Sequence, residues 1–279
     1  IRTLYKPKNP LKIIFDFETY TDYNYEVYDR EDLDEYENPK KIFRSLKKEE
    51  VEQYRNNNRY EIKYKVHKPY LCCIEYGDEK KKYFQGEDCG KDMLNYICNI
   101  KGLTKDGVLL IAHNCGYDFR FLFKYLSQEE PILKGSGLMS CKAVYYYKGS
   151  SLNIMLKDSL KLIPKPLRSF GKCFNLEQGK EILPYKLFSY IFSREGVNSK
   201  SIWQKKDLVL DFVRNENGEE NIEHFLSNCK KWDCILDDKI NIIKYSRKYC
   251  EIDCSVLNQG YEIFRSWIKE LCNIDIDKV

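Results

Sequence analysis

Histidine and tryptophan are scarce in this chain, with three of each among 279 residues. So few imidazoles argue against a histidine-built metal centre and against catalysis centred on histidine. Long hydrophobic runs are missing too: none approaches the ~20 residues that span a bilayer, and no signal segment opens the chain, so no membrane partner is expected. Neither sign of charge is in large excess. Lys+Arg 47 against Asp+Glu 43 leaves a net +4, which excludes a polybasic arm or an acidic disordered tail and still permits a local basic groove. Twelve cysteines are present, but without a secretory signal and at this length they read as reduced thiols of an intracellular protein. His224, Cys229, Cys234, Cys250 and Cys254 contain no CxxC pair, which speaks against zinc.

What is present is enough for a folded domain: 43% apolar and 32% charged residues support a sizeable core. The first residue is Ile1, and a fragment of a longer chain is expected. Residues 1–10 read as a lead-in, 11–271 as the domain and 272–279 as a tail. Short apolar runs at 11–18, 70–76, 81–84 and 107–112 read as strands, and 138–147 and 152–158 as two more around a KGSS turn. Helices are expected near 88–100, 116–127, 165–175 and 236–271, with an extended segment around Pro184 at 179–192. Two polar insertions, about 29–65 with weak helical patterning and 194–231, interrupt the domain. Strands alternating with helices give an α/β class with a mixed central sheet.

The sharpest signal is acid on faces that should be apolar. In LKIIFDFE, side chains alternate, so Ile14, Asp16 and Glu18 share one face and Ile13, Phe15 and Phe17 the other. Taken alone, the two acids read first as a strand end emerging into solvent. Asp118 recurs with Phe121, Leu122 and Tyr125 at helical spacing, although a first-turn acid also favours the helix dipole. Asp253 lies within the stripe Tyr249, Ile252, Val256, Leu257, Gly260, Phe264 and Trp267, one turn after a phenol; a salt-bridged core acid would look the same. Unpaired buried carboxylates are costly, and four of them invite one shared explanation. Hard divalent ions take oxygen ligands, and paired ions about 4 Å apart are a common means of hydrolysing a phosphodiester.

DFET (Asp16, Glu18), HNCGYD (Asn114, Tyr117, Asp118) and YCEID (Tyr249, Asp253), in that order, resemble the three exonuclease motifs of a family B DNA polymerase proofreading domain. Tyr249 puts the resemblance in the DEDDy branch. YCEIDC, KEILPY at 180–185 and SLKLI at 159–163 are most similar to the protein-primed subgroup. The resemblance implies an RNase H-like fold, with a mixed central sheet flanked by helices, and 3′→5′ hydrolysis of DNA ends with two Mg²⁺ or Mn²⁺ ions. Asp16, Glu18 and Asp253 would hold one ion, and Asp16 with Asp118 the second. Tyr249 would orient the water or the scissile phosphate, and Lys180 would neutralise charge there; without the resemblance Lys180 is a surface lysine. Thr19, Asn114, Tyr117, Phe121, Ser159 and Leu160 would grip unpaired nucleotides. The implied partners are a single-stranded DNA 3′ end or primer-template DNA, a polymerase domain in a longer parent, and a terminal protein. No polymerase palm motif appears; EYGDE at 75–79 lacks the acidic turn. An RNA-processing DEDDy exonuclease and a relict nucleic-acid-binding or docking module are the rival readings.

Overall fold

The computed structural model describes residues 9–33, 39–46, 59–135 and 137–278. Most of the lead-in, parts of the first insertion and the last residue lie outside them. β1 (Leu11–Leu33) begins in the alternating LKIIFDFE stretch and runs well past it. It pairs antiparallel with β3 (Arg59–Tyr76), and β3 with β4 (Lys80–Gln85). The distal half of β1 also pairs with β2 (Pro39–Leu46). On its other edge β1 runs parallel to β5 (Val108–Ala112), which runs parallel to β8 (Ser150–Asp158). Antiparallel β7 (Gly137–Tyr147) and β6 (Ser127–Lys134) complete the order β4-β3-β1-β5-β8-β7-β6.

Helices cover both faces of this mixed sheet, as expected from sequence. Against one face lie α1 (Cys89–Cys98) and α2 (Cys115–Phe123), which bury Met93, Leu94, Ile97 and Leu122 on Ile13, Phe15 and Phe17. The short α3 (Ser159–Leu162) and α4 (Phe170–Cys173) lead to α5 (Tyr185–Glu195), α6 (Lys206–Asn217), α7 (Ile222–Lys231) and the 31-residue α8 (Ile242–Cys272). The second core joins α5–α8 to Ile14, Tyr20, Tyr70 and Cys73 on the opposite face. Odd and even positions of β1 therefore enter different cores, as a period of two requires. A small sheet of β9 (Trp203–Lys205), β10 (Ile235–Leu236) and β11 (Lys239–Asn241) sits among the later helices.

Four local expectations need correction. The described parts of 29–65 are strand, a paired extension of β1, β2 and β3, where helical patterning was read. Pro184 stands at the N-cap of α5, so 185–192 is helix; proline is tolerated where a helix starts because its missing N–H has no partner there anyway. Residues 194–231 hold the end of α5, β9, α6 and α7, and the buried sets of α6 and α7 are small (Val209, Val213; Phe225, Asn228, Cys229) and leave a mostly polar sequence. β6 was not expected. All twelve cysteines are free. Among the described residues no helix is long and apolar enough to cross a membrane.

Candidate active site

A cleft of about 500 Å³ opens where β1 runs beyond its pairing with β5, beside α2, α5 and α8. Asp16, Glu18, Asp118, Lys180 and Asp253 all line it, together with Thr19, Asn114 and Tyr117. Four distant stretches of chain thus contribute charged groups to one place. β1 carries its two acids to the α8 side, and an irregularity between Glu18 and Thr19 shifts its register with β3 by one residue there. Asp118 enters from the first turn of α2, with Oδ1 accepting from the backbone N–H of Phe17 at 3.3 Å. Asn114, at the N-cap of α2, takes a left-handed backbone (φ 68°), which asparagine tolerates well. Asp158 fixes that turn: its Oδ1 accepts from the N–H groups of Asn114 (2.9 Å) and Leu160 (3.0 Å).

Glu18, Asp118 and Asp253 are buried, and Asp16 is half-buried. Burial pushes the Asp16 carboxyl up to about 7, with the Asp253 charge adding and Lys180 opposing. Glu18 and Asp118 are raised as well, first by burial and then by Asp16. Burial also raises Asp253, against the pull of Lys180. The Lys180 ammonium donates to Asp253 Oδ2 at 2.6 Å and lies over the Tyr249 ring, 5.1 Å from its centroid. Burial alone would lower the Lys180 pKa; the Asp253 charge reverses this and holds the amine protonated.

The Tyr249 and Tyr185 hydroxyls are 2.6 Å apart, and burial raises the Tyr249 phenol far above its ordinary value. Tyr249 is therefore a neutral hydrogen-bonding group, unsuited to act as a base.

These residues suit a hard divalent ion. Asp253 Oδ1 is buried with no hydrogen-bond partner, the four acids offer only oxygen donors, and the burial that raises their pKa values makes their charged forms costly unless a cation compensates them. Donor atoms of Asp16, Glu18 and Cys250 fall within 4.8 Å of one another. The Cys250 thiol points at Asp16, 3.5 Å from its carbonyl oxygen and 3.7 Å from Oδ2.

Several of the residues read from sequence stand apart from the cleft. Phe121 is packed between Phe17 and Tyr117, with ring centroids 5.5 Å from each. Ser159 is fully buried, its hydroxyl donating to Ala112 O at 3.0 Å and facing His113 Nδ1 at 3.0 Å. Leu160 follows it into α3 and does not line the cleft. Tyr249 is reached through Tyr185, which does line it. Thr19 Oγ1 and His67 Nδ1 both bond the Tyr117 hydroxyl, at 2.6 and 2.9 Å, and the Arg120 guanidinium covers its ring. Tyr185, His113, Cys250 and His67 had been given no role. The first three sit inside KEILPY, HNCGYD and YCEID, so the signal was at hand; nothing in the sequence around His67 announces it.

A family model described as DNA polymerase type B, organellar and viral, matches residues 100–279. A probable DNA polymerase of Ascobolus immersus is 24% identical over 221 residues, covering 74% of this chain and 17% of that protein. A DNA polymerase of Kluyveromyces lactis is 23% identical over 232 residues, covering 76% and 21%. The chain thus spans about a fifth of the length of these curated relatives. Phi29 DNA polymerase complexed with primer-template DNA and incoming nucleotides superposes on 95% of this chain and 32% of its own, at 13% identity and a TM-score of 0.46. Its complex with single-stranded DNA gives 94%, 32%, 12% and 0.45.

Proposed function

The chain belongs to the organellar and viral type B DNA polymerases, and on that footing we propose that its cleft is a 3′→5′ exonuclease site acting on single-stranded or frayed DNA ends, in a polymerase of the protein-primed kind. The observation that carries this reading is the meeting of Asp16, Glu18, Asp118 and Asp253, from three separate motifs, in one cleft with raised pKa values. Those four carboxylates would hold Mg²⁺ or Mn²⁺, and two such ions supply Lewis acidity to an attacking water and to a departing 3′ oxygen.

The rest of the chemistry falls to this chain's own groups. Lys180, kept protonated beside Asp253, sets a fixed positive charge where a phosphate would gain negative charge. Tyr249, kept neutral, would act through Tyr185, whose hydroxyl lies 2.6 Å from its own and which lines the cleft. Thr19, Asn114 and Tyr117 line the entrance. An aromatic face with small polar neighbours accepts any unpaired base, which suits removal of mismatched ends. A paired 3′ end has to fray first, at a cost of a few kcal/mol that a mismatch has already met. The partners that go with this reading are a DNA 3′ end, a polymerase domain in a longer parent chain and a terminal protein.

The test is digestion of 5′-labelled single-stranded DNA with Mg²⁺, Mn²⁺ or EDTA, beside a matched RNA oligonucleotide. A ladder shortening from the 3′ end of the DNA, abolished by EDTA and by Asp118→Asn or Asp253→Asn, is expected. Variants that digest at the parental rate overturn the assignment, and preference for the RNA moves it to RNA processing.

A further inference from the structure

Residues 179–184, which carry Lys180, belong to no helix or strand. Side chains hold this segment instead, at three consecutive residues and in three directions. Lys180 Nζ reaches Asp253. The Ile182 carbonyl oxygen accepts from the Tyr245 hydroxyl at 3.0 Å. Between them, Glu181 Oε2 accepts from Asn228 Nδ2 at 2.7 Å and lies 2.6 Å from His224 Nε2. His224 and Asn228 are i, i+4 neighbours on α7, so one helical face presents both groups to the same carboxylate oxygen. Asn228 is buried, and the Glu181 side chain is only 15% exposed.

Adjacent side chains of an extended segment face opposite ways, and here Lys180 turns into the cleft while Glu181, which does not line it, turns to α7. A lysine stem is long and rotamer-rich, so a point charge at its tip is only as well placed as the backbone beneath it.

We propose that Glu181 is a positioning residue: gripped by His224 and Asn228 of α7, it anchors the segment from which Lys180 reaches Asp253. The second insertion then has a definite task, as the pedestal of that segment. The consequence for turnover rests on the exonuclease reading above; the anchoring itself does not.

Two measurements on the whole chain test this. The first is the rate at which trinitrobenzenesulfonate modifies Lys180 in the folded protein, read site by site by mass spectrometry. Glu181→Ala should raise that rate about threefold or more. Glu181→Gln, which keeps an acceptor for Asn228, should stay near the parent. His224→Ala, at a side chain 53% exposed and so safe for folding, should fall between. The second is turnover of single-stranded DNA with Mg²⁺. Glu181→Ala should lower kcat about tenfold with KM within about twofold, and should cost nothing further in a Lys180→Met background. Unchanged labelling of Lys180 in Glu181→Ala and His224→Ala overturns the proposal, and so does an undiminished loss of turnover in the Lys180→Met background. A parent chain that cuts no DNA removes the exonuclease reading instead, and the labelling arm then decides the anchoring.

Discussion

Lys180 Nζ meets Asp253 Oδ2 at 2.6 Å, while the other oxygen of the same carboxylate, Oδ1, is buried and has no hydrogen-bond partner. Half of Asp253 is therefore satisfied by the chain, and half is left over. Lys180→Met should expose that imbalance. Breaking a fully buried ion pair from one side costs ~3–5 kcal/mol. The Lys180 side chain is 29% exposed, which lets solvent screen the pair and reduces the expected cost to about 1–2 kcal/mol. A denaturant midpoint measured in EDTA should fall accordingly. Added Mn²⁺ should recover more stability in the variant than in the parent, because an ion that binds only the folded state stabilises in proportion to its affinity. An unchanged midpoint in EDTA would mean that the ion pair contributes nothing.

The carboxylate cluster sets a pH dependence whose sign follows from its raised pKa values. Burial and mutual repulsion lift Asp16 to about 7 from an ordinary value near 3.8, and lift Glu18 and Asp118 as well. The folded chain thus keeps protons that the unfolded chain would release, so this stability is fully present below the unfolded values and is lost as pH rises to and through the folded ones. In EDTA the Tm should drop between about pH 4 and about pH 7, the unfolded and folded values of Asp16. Asp16→Asn should flatten that slope and raise the Tm at the alkaline end. A saturating divalent ion takes over the role of the protons, and the slope should level off with Mn²⁺ present. A Tm in EDTA that climbs over the same interval contradicts this account.

A third prediction separates scaffold from site. Glu75, buried on β3, accepts from the Ser255 hydroxyl at 2.6 Å and from Asn258 Nδ2 at 2.7 Å, with Lys81 3.6 Å away, and so fastens α8 to the sheet. Ser255→Ala leaves a buried acceptor short of a donor, at a cost of ~1–3 kcal/mol. Chemical denaturation should register that loss while turnover of single-stranded DNA at low temperature stays near the parent's. A variant of full stability with reduced turnover would place Glu75 in the catalytic machinery.

How much of this was legible in the sequence depended on how cleanly each element separates its faces. β1 was readable because Ile13, Phe15 and Phe17 alternate with Ile14, Asp16 and Glu18 and the two sets enter different cores. Asp253 was readable because α8 is long and its apolar stripe recurs for many turns. The same logic explains the misses. α6 buries only Val209 and Val213, so its stripe was lost among charges. Pro184 was read as the middle of an extended segment, whereas it stands at the start of a helix. Lys180 was legible through a motif, whereas its anchor was not, because Glu181, His224 and Asn228 are joined only by the folding of α7 onto residues 179–184. Phe121 and Ser159 resemble nucleotide contacts in one dimension and are engaged by neighbouring core groups in three.

The last prediction concerns Gly260, a glycine in the middle of α8. A helix interior ordinarily gains about 1 kcal/mol when Gly becomes Ala. Here a Cβ would run into the Phe170 ring and would come within 3.0 Å of Phe174 Cδ2. Phe170 is fully buried, packed edge-on to Phe174 at 5.1 Å between centroids and to His113 at 5.2 Å, so it has no free space to yield. Overpacking a filled core costs ~1–3 kcal/mol, which outweighs the helix propensity. Gly260→Ala should therefore lower the unfolding free energy by up to about 2 kcal/mol. Because the displaced ring leans on His113, which lines the cleft, turnover should fall as well. A second replacement, Phe170→Leu, should restore part of the stability lost in Gly260→Ala by making room for the added methyl. If Gly260→Ala is instead more stable than the parent, the close packing of α4 against α8 does not hold in solution.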